Sequence, residues 1–130
     1  MNREIKFRAW DKENKIMSGV KDLHFFTGGI DVTVACDEED WISEPYFELM
    51  QFTGLLDKQG KEIYEGDIIR FLLPDCTWSH PQQVVYAHSS FVTKSGNLWG
   101  LGYGLDIVHS DNLKFLEVIG NIWENGELLK

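Results

Sequence analysis

Residues 46–73 read YFELMQFTGLLDKQGKEIYEGDIIRFLL, and this stretch decides the fold class. Tyr46–Thr53 is rich in β-formers and apolar at both sets of alternate positions, the pattern of a strand buried on both faces. Gly54 is expected to end it. Asp57-Lys58-Gln59-Gly60 is a strong turn signal, and Glu65-Gly66-Asp67 is a second. Ile68–Leu73 then forms an apolar strand that Pro74 stops.

Working outward from this stretch gives more strands. Near the N-terminus, Ile5, Phe7 and Ala9 alternate with Lys6, Arg8 and Trp10, the period of a half-buried strand. Asp11–Lys15 supplies turn residues and Ile16-Met17 begins a return strand, so a hairpin is expected there. Ile30, Val32 and Val34 alternate with Asp31 and Thr33 in another short strand. On the C-terminal side, Gln82–Thr93 reads as an aromatic strand after a long loop, followed by a turn at Ser95-Gly96-Asn97. Leu98–Leu105 reads as a glycine-bent strand, and Phe115–Trp123 as the last one. Ser43–Glu48 has room for a helical turn, but no window keeps an i, i+3, i+4, i+7 period over a helical length. Short strands bounded by Gly, Pro, Asn and Asp predict an all-β chain, with an SH3-like barrel in the C-terminal half preceded by an N-terminal β-hairpin region. The acidic run Asp37-Glu38-Glu39-Asp40, closed by Pro45, reads as a solvated loop at the internal boundary. It separates an N-terminal region over residues 1–45 from a barrel over residues 46–130. WDKENKIM and LDKQGKEI echo one another and predict two turns of like chemistry.

At 130 residues, with 43% hydrophobic and 13% aromatic residues, the chain has enough apolar material for a core without staples. Two cysteines, Cys36 and Cys76, are read as free thiols of a cytoplasmic protein, and no segment has the apolar length of a signal or a membrane span. The formal net charge of −9 opposes nucleic-acid phosphates and anionic lipid. After Arg70 the only cations are Lys94, Lys114 and Lys130. The basic residues that do cluster, Arg3, Lys6, Arg8, Lys12 and Lys15, are interleaved with Glu4, Asp11 and Glu13.

Candidate chemistry is sparse. Asp106, His109 and Asp111 are metal-ligand types, but on a strand Asp106 and His109 point to opposite faces, so a solvated loop is the better reading. The acidic run lacks the spaced oxygens and central glycine of a calcium loop. The four histidines form no HxH or HExxH pair, and there is no GxSxG elbow. Cys76 follows Asp75, whose charge opposes a reactive thiolate. GLGYG matches no phosphate loop. No catalytic, cofactor or metal site is therefore expected. Five tryptophans are the informative feature: Trp41 and Trp78 sit in polar, turn-rich surroundings, and each either is exposed, as Trp often is where proteins bind one another, or folds back over the barrel as a lid. Trp41, Trp78, Asp37, Glu38, Glu39 and Asp40 are the candidate partner-binding residues.

Taken together, EIKFRAWDKENKIM, LMQFTGLLDKQGKEIYEGDIIRF and EVIGNIWEN resemble the YopX family, small proteins encoded by phages and prophages mainly of Gram-positive bacteria. The middle block, with Thr53-Gly54, Asp57, Gly60, Glu65, Gly66 and Asp67, is the most specific. The resemblance implies a mostly-β protein with an SH3-like barrel and implies no activity, substrate or cofactor. The shared positions read as structural: Gly54, Gly60 and Gly66 for turns, Asp57 and Asp67 as caps of those turns, Trp10 and Trp123 as packing residues. The expected function is a non-enzymatic phage accessory protein that binds a host or phage protein. The alternative is a nucleic-acid-related role, either as a DNA mimic or as a single-strand binder using Trp10 and the basic hairpin. Self-association through unpaired strand edges is a further option.

Overall fold

The computed structural model describes residues 4–34, 37–43, 46–87, 90–95, 103–106 and 115–129; for 34, 37–41, 43, 95 and 103–106 the description covers the backbone. The described residues are mainly strand, in two antiparallel sheets, with one 3-10 turn at Gly126–Leu129 and no α-helix. The sheets have strand orders β4-β3-β2-β1-β5-β6 and β10-β9-β8-β7-β11, and the described pairings close neither of them. The chain divides into two compact units, Met1–Phe52 and Thr53–Lys130.

In the first unit, β1 (Phe7–Asp11) and β2 (Ile16–Phe26) form the expected hairpin, with Trp10 opposite Met17. Asp11 builds the turn. Its carboxylate accepts from the Glu13 and Asn14 backbone N–H groups at 3.0 and 3.1 Å and from the Asn14 side chain at 2.9 Å. β3 (Gly29–Val34) returns along β2, and β1 also pairs with β5 (Phe47–Leu56). Ala9, Val32 and Phe47 form the core, with Val20, Leu23, Ile30, Ile42 and Leu49 against it. Val20 and Leu23 are an odd number of residues apart, yet both reach that core because a bulge between Val20 and Asp22 resets the alternation.

The acidic run departs from expectation. Asp37–Asp40 is not a loop but the start of β4 (Asp37–Ser43), with Asp37 opposite Val34, Trp41 opposite Thr33 and Ile42 opposite Val32. The strand is at the sheet edge, where one side stays in water and tolerates charge, and Ile42 anchors it to the core.

The second unit holds the end of β5, then β6 (Glu62–Tyr64), β7 (Asp67–Phe71), β8 (Gln82–Ala87), β9 (Ser90–Ser95), β10 (Tyr103–Asp106) and β11 (Leu116–Asn121). Its core is Ile63, Ile69, Val84, Phe91, Leu116 and Val118, flanked by Leu55 and Phe71. β5 does not stop at Gly54 but continues to Leu56. Gly54 takes φ +87°, and the buried Thr53 hydroxyl ties the strand to β6 by donating to the Ile63 carbonyl at 2.7 Å and accepting from Leu55 N–H. Gly60 and Gly66 have φ +81° and +84°, left-handed values that L side chains resist, as their turn positions predicted.

Two further differences follow from local chemistry that propensity does not report. Gln82–Thr93 is a hairpin rather than one strand, with Tyr86 opposite Phe91 and Ala87 opposite Ser90. His88-Ser89 carries none of the Gly or Asn that mark such turns. The loop after Pro74 folds back on β7, where Leu72 bridges to Trp78 and the Ser79 N–H donates to the Phe71 carbonyl at 2.7 Å.

Candidate functional site

The outward face of β7 and β11 in the second unit carries the most distinctive arrangement of side chains. Alternation sends Ile69, Leu116 and Val118 into the core and leaves Arg70, Leu72, Phe115 and Glu117 on the other face. Arg70 stands opposite Glu117 in the β7–β11 register. Leu72 is tied to both neighbours: its N–H donates to the Phe115 carbonyl at 3.0 Å, and it bridges to Trp78 on the other side. Phe115, Leu72 and Trp78 therefore form a row across three adjacent segments, and Leu72, Leu73 and Phe115 are 36%, 39% and 39% exposed.

Trp78 is half-buried, between the exposed and the folded-back alternatives its surroundings in sequence left open. Two cations cover its ring: the Arg70 guanidinium carbon lies 4.0 Å and the Lys58 ammonium 4.6 Å from the ring centre. Both also approach one carboxylate oxygen. Arg70 Nη2 and Nε donate to Glu117 Oε2 at 3.0 and 3.3 Å, and Lys58 Nζ is 3.7 Å from it. Short bonds to side chains hold the hairpin that carries Trp78. Asp75 accepts from the Thr77 hydroxyl at 2.6 Å and from the Thr77 N–H at 3.1 Å, and these bonds hold its carboxyl below the usual range. The Ser79 hydroxyl accepts from the Phe71 N–H at 2.8 Å.

Asp57 sets the position of Lys58. Its buried carboxylate caps the turn by accepting from Gln59 N–H at 2.8 Å and Lys61 N–H at 2.9 Å, and its other oxygen accepts from Val118 N–H at 3.0 Å. Burial pushes the Asp57 carboxyl up, but the Val118, Lys61 and Gln59 N–H groups and the Lys61 charge outweigh burial and leave it lowered. The Lys58 N–H donates to the Leu116 carbonyl at 3.0 Å, so this turn covers the outer edge of β11. Asp67 caps the second turn as expected, accepting from Tyr64 N–H at 2.8 Å.

Of the six candidate residues, Trp78 is the one whose side chain is described, and it belongs to this cluster. Trp41 and Asp37–Asp40 belong to β4 of the first unit, and their side chains lie outside what is described. Trp10, the proposed stacking platform for single strands, is only 5% exposed. Two cations of the N-terminal hairpin are paired, Lys12 with Glu48 at 2.9 Å and Lys6 with Glu4 at 3.4 Å. Cys76 is a free, exposed thiol, and Cys36 lies outside the described residues. His109 and Asp111 also lie outside them, and of Asp106 only the backbone is described. Among the described residues no three His, Cys, Asp or Glu side chains come together, and no helix is long and apolar enough to cross a membrane. Sequence reasoning missed Lys58, Arg70 and Glu117. The available signal was that Arg70 and Glu117 are charged positions within otherwise apolar strands.

The family model for YopX protein matches residues 6–130. The chain belongs to the YopX family. The crystal structure of protein EF1440 from Enterococcus faecalis is similar to this YopX-family chain with TM-score 0.63 and 27% identity, covering 99% of this chain and 100% of that one. The structure of protein yopX from Bacillus subtilis is similar with TM-score 0.65 and 19% identity, covering 96% of this chain and 98% of that one. At that identity the second likeness speaks to the fold. No curated protein matches the chain. Within the YopX-family block from Thr53 to Asp67, the described roles are structural: Thr53, Asp57 and Asp67 satisfy backbone groups, and the three glycines supply left-handed backbone.

Proposed function

We propose that this is a phage- or prophage-encoded accessory protein, acting in the cytoplasm of a bacterial host without catalysis, which binds another protein through the face around Trp78. The observation that carries the reading is the Trp78 cluster. A half-buried tryptophan under two cations, in one row with exposed Leu72 and Phe115, has the aromatic, arginine and aliphatic make-up of an interaction hot spot. The same reading takes the second unit as an SH3-like barrel. In its support, bonds from Asp57 and Lys58 to Val118 and Leu116 connect the turn after β5 to the outer edge of β11.

Capture of partners from host lysate by the full chain tests this reading. Trp78→Ala and the exposed substitution Leu72→Glu are each expected to abolish retention of a discrete protein that the unchanged chain retains. Retention of the same proteins by all three chains would refute the reading.

A further inference from the structure

We propose that the Trp78 face accepts an extended acidic segment of a partner protein. One carboxylate of that segment sits against Lys58 and Arg70, and an apolar side chain two residues away lies over Leu72. This rests on the reading of the face as a protein-binding surface and specifies its chemistry.

The first support is unused donor capacity. Arg70 directs Nε and Nη2 to a single oxygen of Glu117, and among the described residues its Nη1 meets no acceptor. Lys58 Nζ is 3.7 Å from that same oxygen, too far for a hydrogen bond, and among the described residues otherwise meets only the Trp78 ring. Two cations thus converge on a single carboxylate oxygen, so their donor capacity exceeds what Glu117 uses. The side chains of Lys58 and Arg70 are 33% and 34% exposed, so an incoming anion reaches them while the ring keeps them in place.

Spacing is the second support. Arg70 and Leu72 leave the same face two residues apart, as do Glu117 and Phe115 across from them, a repeat of roughly 7 Å along a strand. An extended peptide has the same repeat, so a carboxylate at one position places the side chain two residues on over Leu72 and Phe115. A polyphosphate is a poorer fit. Nucleic-acid affinity accumulates over many phosphate contacts, and two cations on an acidic chain offer few.

Fluorescence anisotropy of labelled decapeptides with the full chain tests the proposal. The panel carries a glutamate and a leucine two residues apart; control peptides have glutamine for glutamate, and a labelled oligothymidylate is a separate arm. Saturable binding is expected for the glutamate peptides, weakened at least tenfold by the glutamine exchange and by Lys58→Gln, and unchanged by Lys94→Gln on β9. Equal binding of the glutamine peptides, absence of peptide binding, or preference for oligothymidylate would each overturn the proposal. If peptides fail while capture of a protein still depends on Trp78, the inference falls and the broader reading stands. Loss of that dependence removes both.

Discussion

Substituting Asp57 tests the structural logic of the second unit most sharply, because one buried carboxylate serves three backbone donors and ties β11 to the turn that carries Lys58. Asp57→Ala removes all three acceptor contacts. Val118 is buried, and its N–H left without a partner costs about 1–3 kcal/mol. Gln59 and Lys61 are exposed, so water replaces most of what their N–H groups lose, about 0.5–1 kcal/mol each. The expected loss is therefore about 2–5 kcal/mol. Asp57→Asn keeps the volume but presents an NH2 group either to Val118 or to the turn. With the turn bonds kept, it leaves the Val118 donor facing another donor and loses about 1–3 kcal/mol. The pH dependence has a definite sign. The folded carboxyl lies below its ordinary value, so its stabilisation is complete above the unfolded value of about 3.9 and is lost as pH falls through the folded one. The deficit of either variant relative to the unchanged chain must then shrink as pH is lowered from 5 through 3. Urea unfolding at stepped pH measures this, and amide exchange at Val118 reports the local loss. An Asp57→Asn protein within about 0.5 kcal/mol of the unchanged chain at pH 7, or a deficit constant with pH, would refute the reasoning.

Other substitutions separate the remaining elements. Gly66→Ala forces an L side chain to φ +84° at a buried turn and should cost about 1–2 kcal/mol in urea unfolding, whereas Gly19→Ala, with nothing within 4 Å of the added carbon, should change stability by less than about 0.5 kcal/mol. Ile63→Ala, in a side chain with no exposed area at the centre of the second core, should lose about 2–5 kcal/mol by the same assay. Glu117→Gln should alter stability by no more than about 1 kcal/mol, since both partners are partly solvated. The same variant should bind the glutamate peptides more tightly, because the carboxylate that competes for Arg70 and Lys58 is gone.

The turns were legible in the sequence because their chemistry is local. Asp11 and Asp57 each accept from an N–H two residues ahead, and the shared Asp-Lys pattern announces that geometry. The alternation around Ala9 and around Val32 was legible for the same reason, since a strand's period needs no knowledge of its neighbours. The β8–β9 hairpin was not, because His88-Ser89 carries no turn signature. Asp37–Asp40 was misread because charge argues for solvent, and an edge strand supplies solvent without ceasing to be a strand. Trp78 could be singled out as a residue, but not its surroundings. Arg70 and Glu117 are 47 positions apart, and only the β7–β11 register brings them together.

The claim that matters most is that the face around Trp78 is where this protein meets its partner. Photo-crosslinking in host cells measures this directly, with a crosslinking side chain at Leu72 in one protein and at Lys15, on the hairpin of the first unit, in another. The account predicts a discrete crosslinked protein from position 72 that is absent from position 15 and disappears when Lys58→Gln is added. No discrete product from position 72, or the same product from both positions, would contradict it.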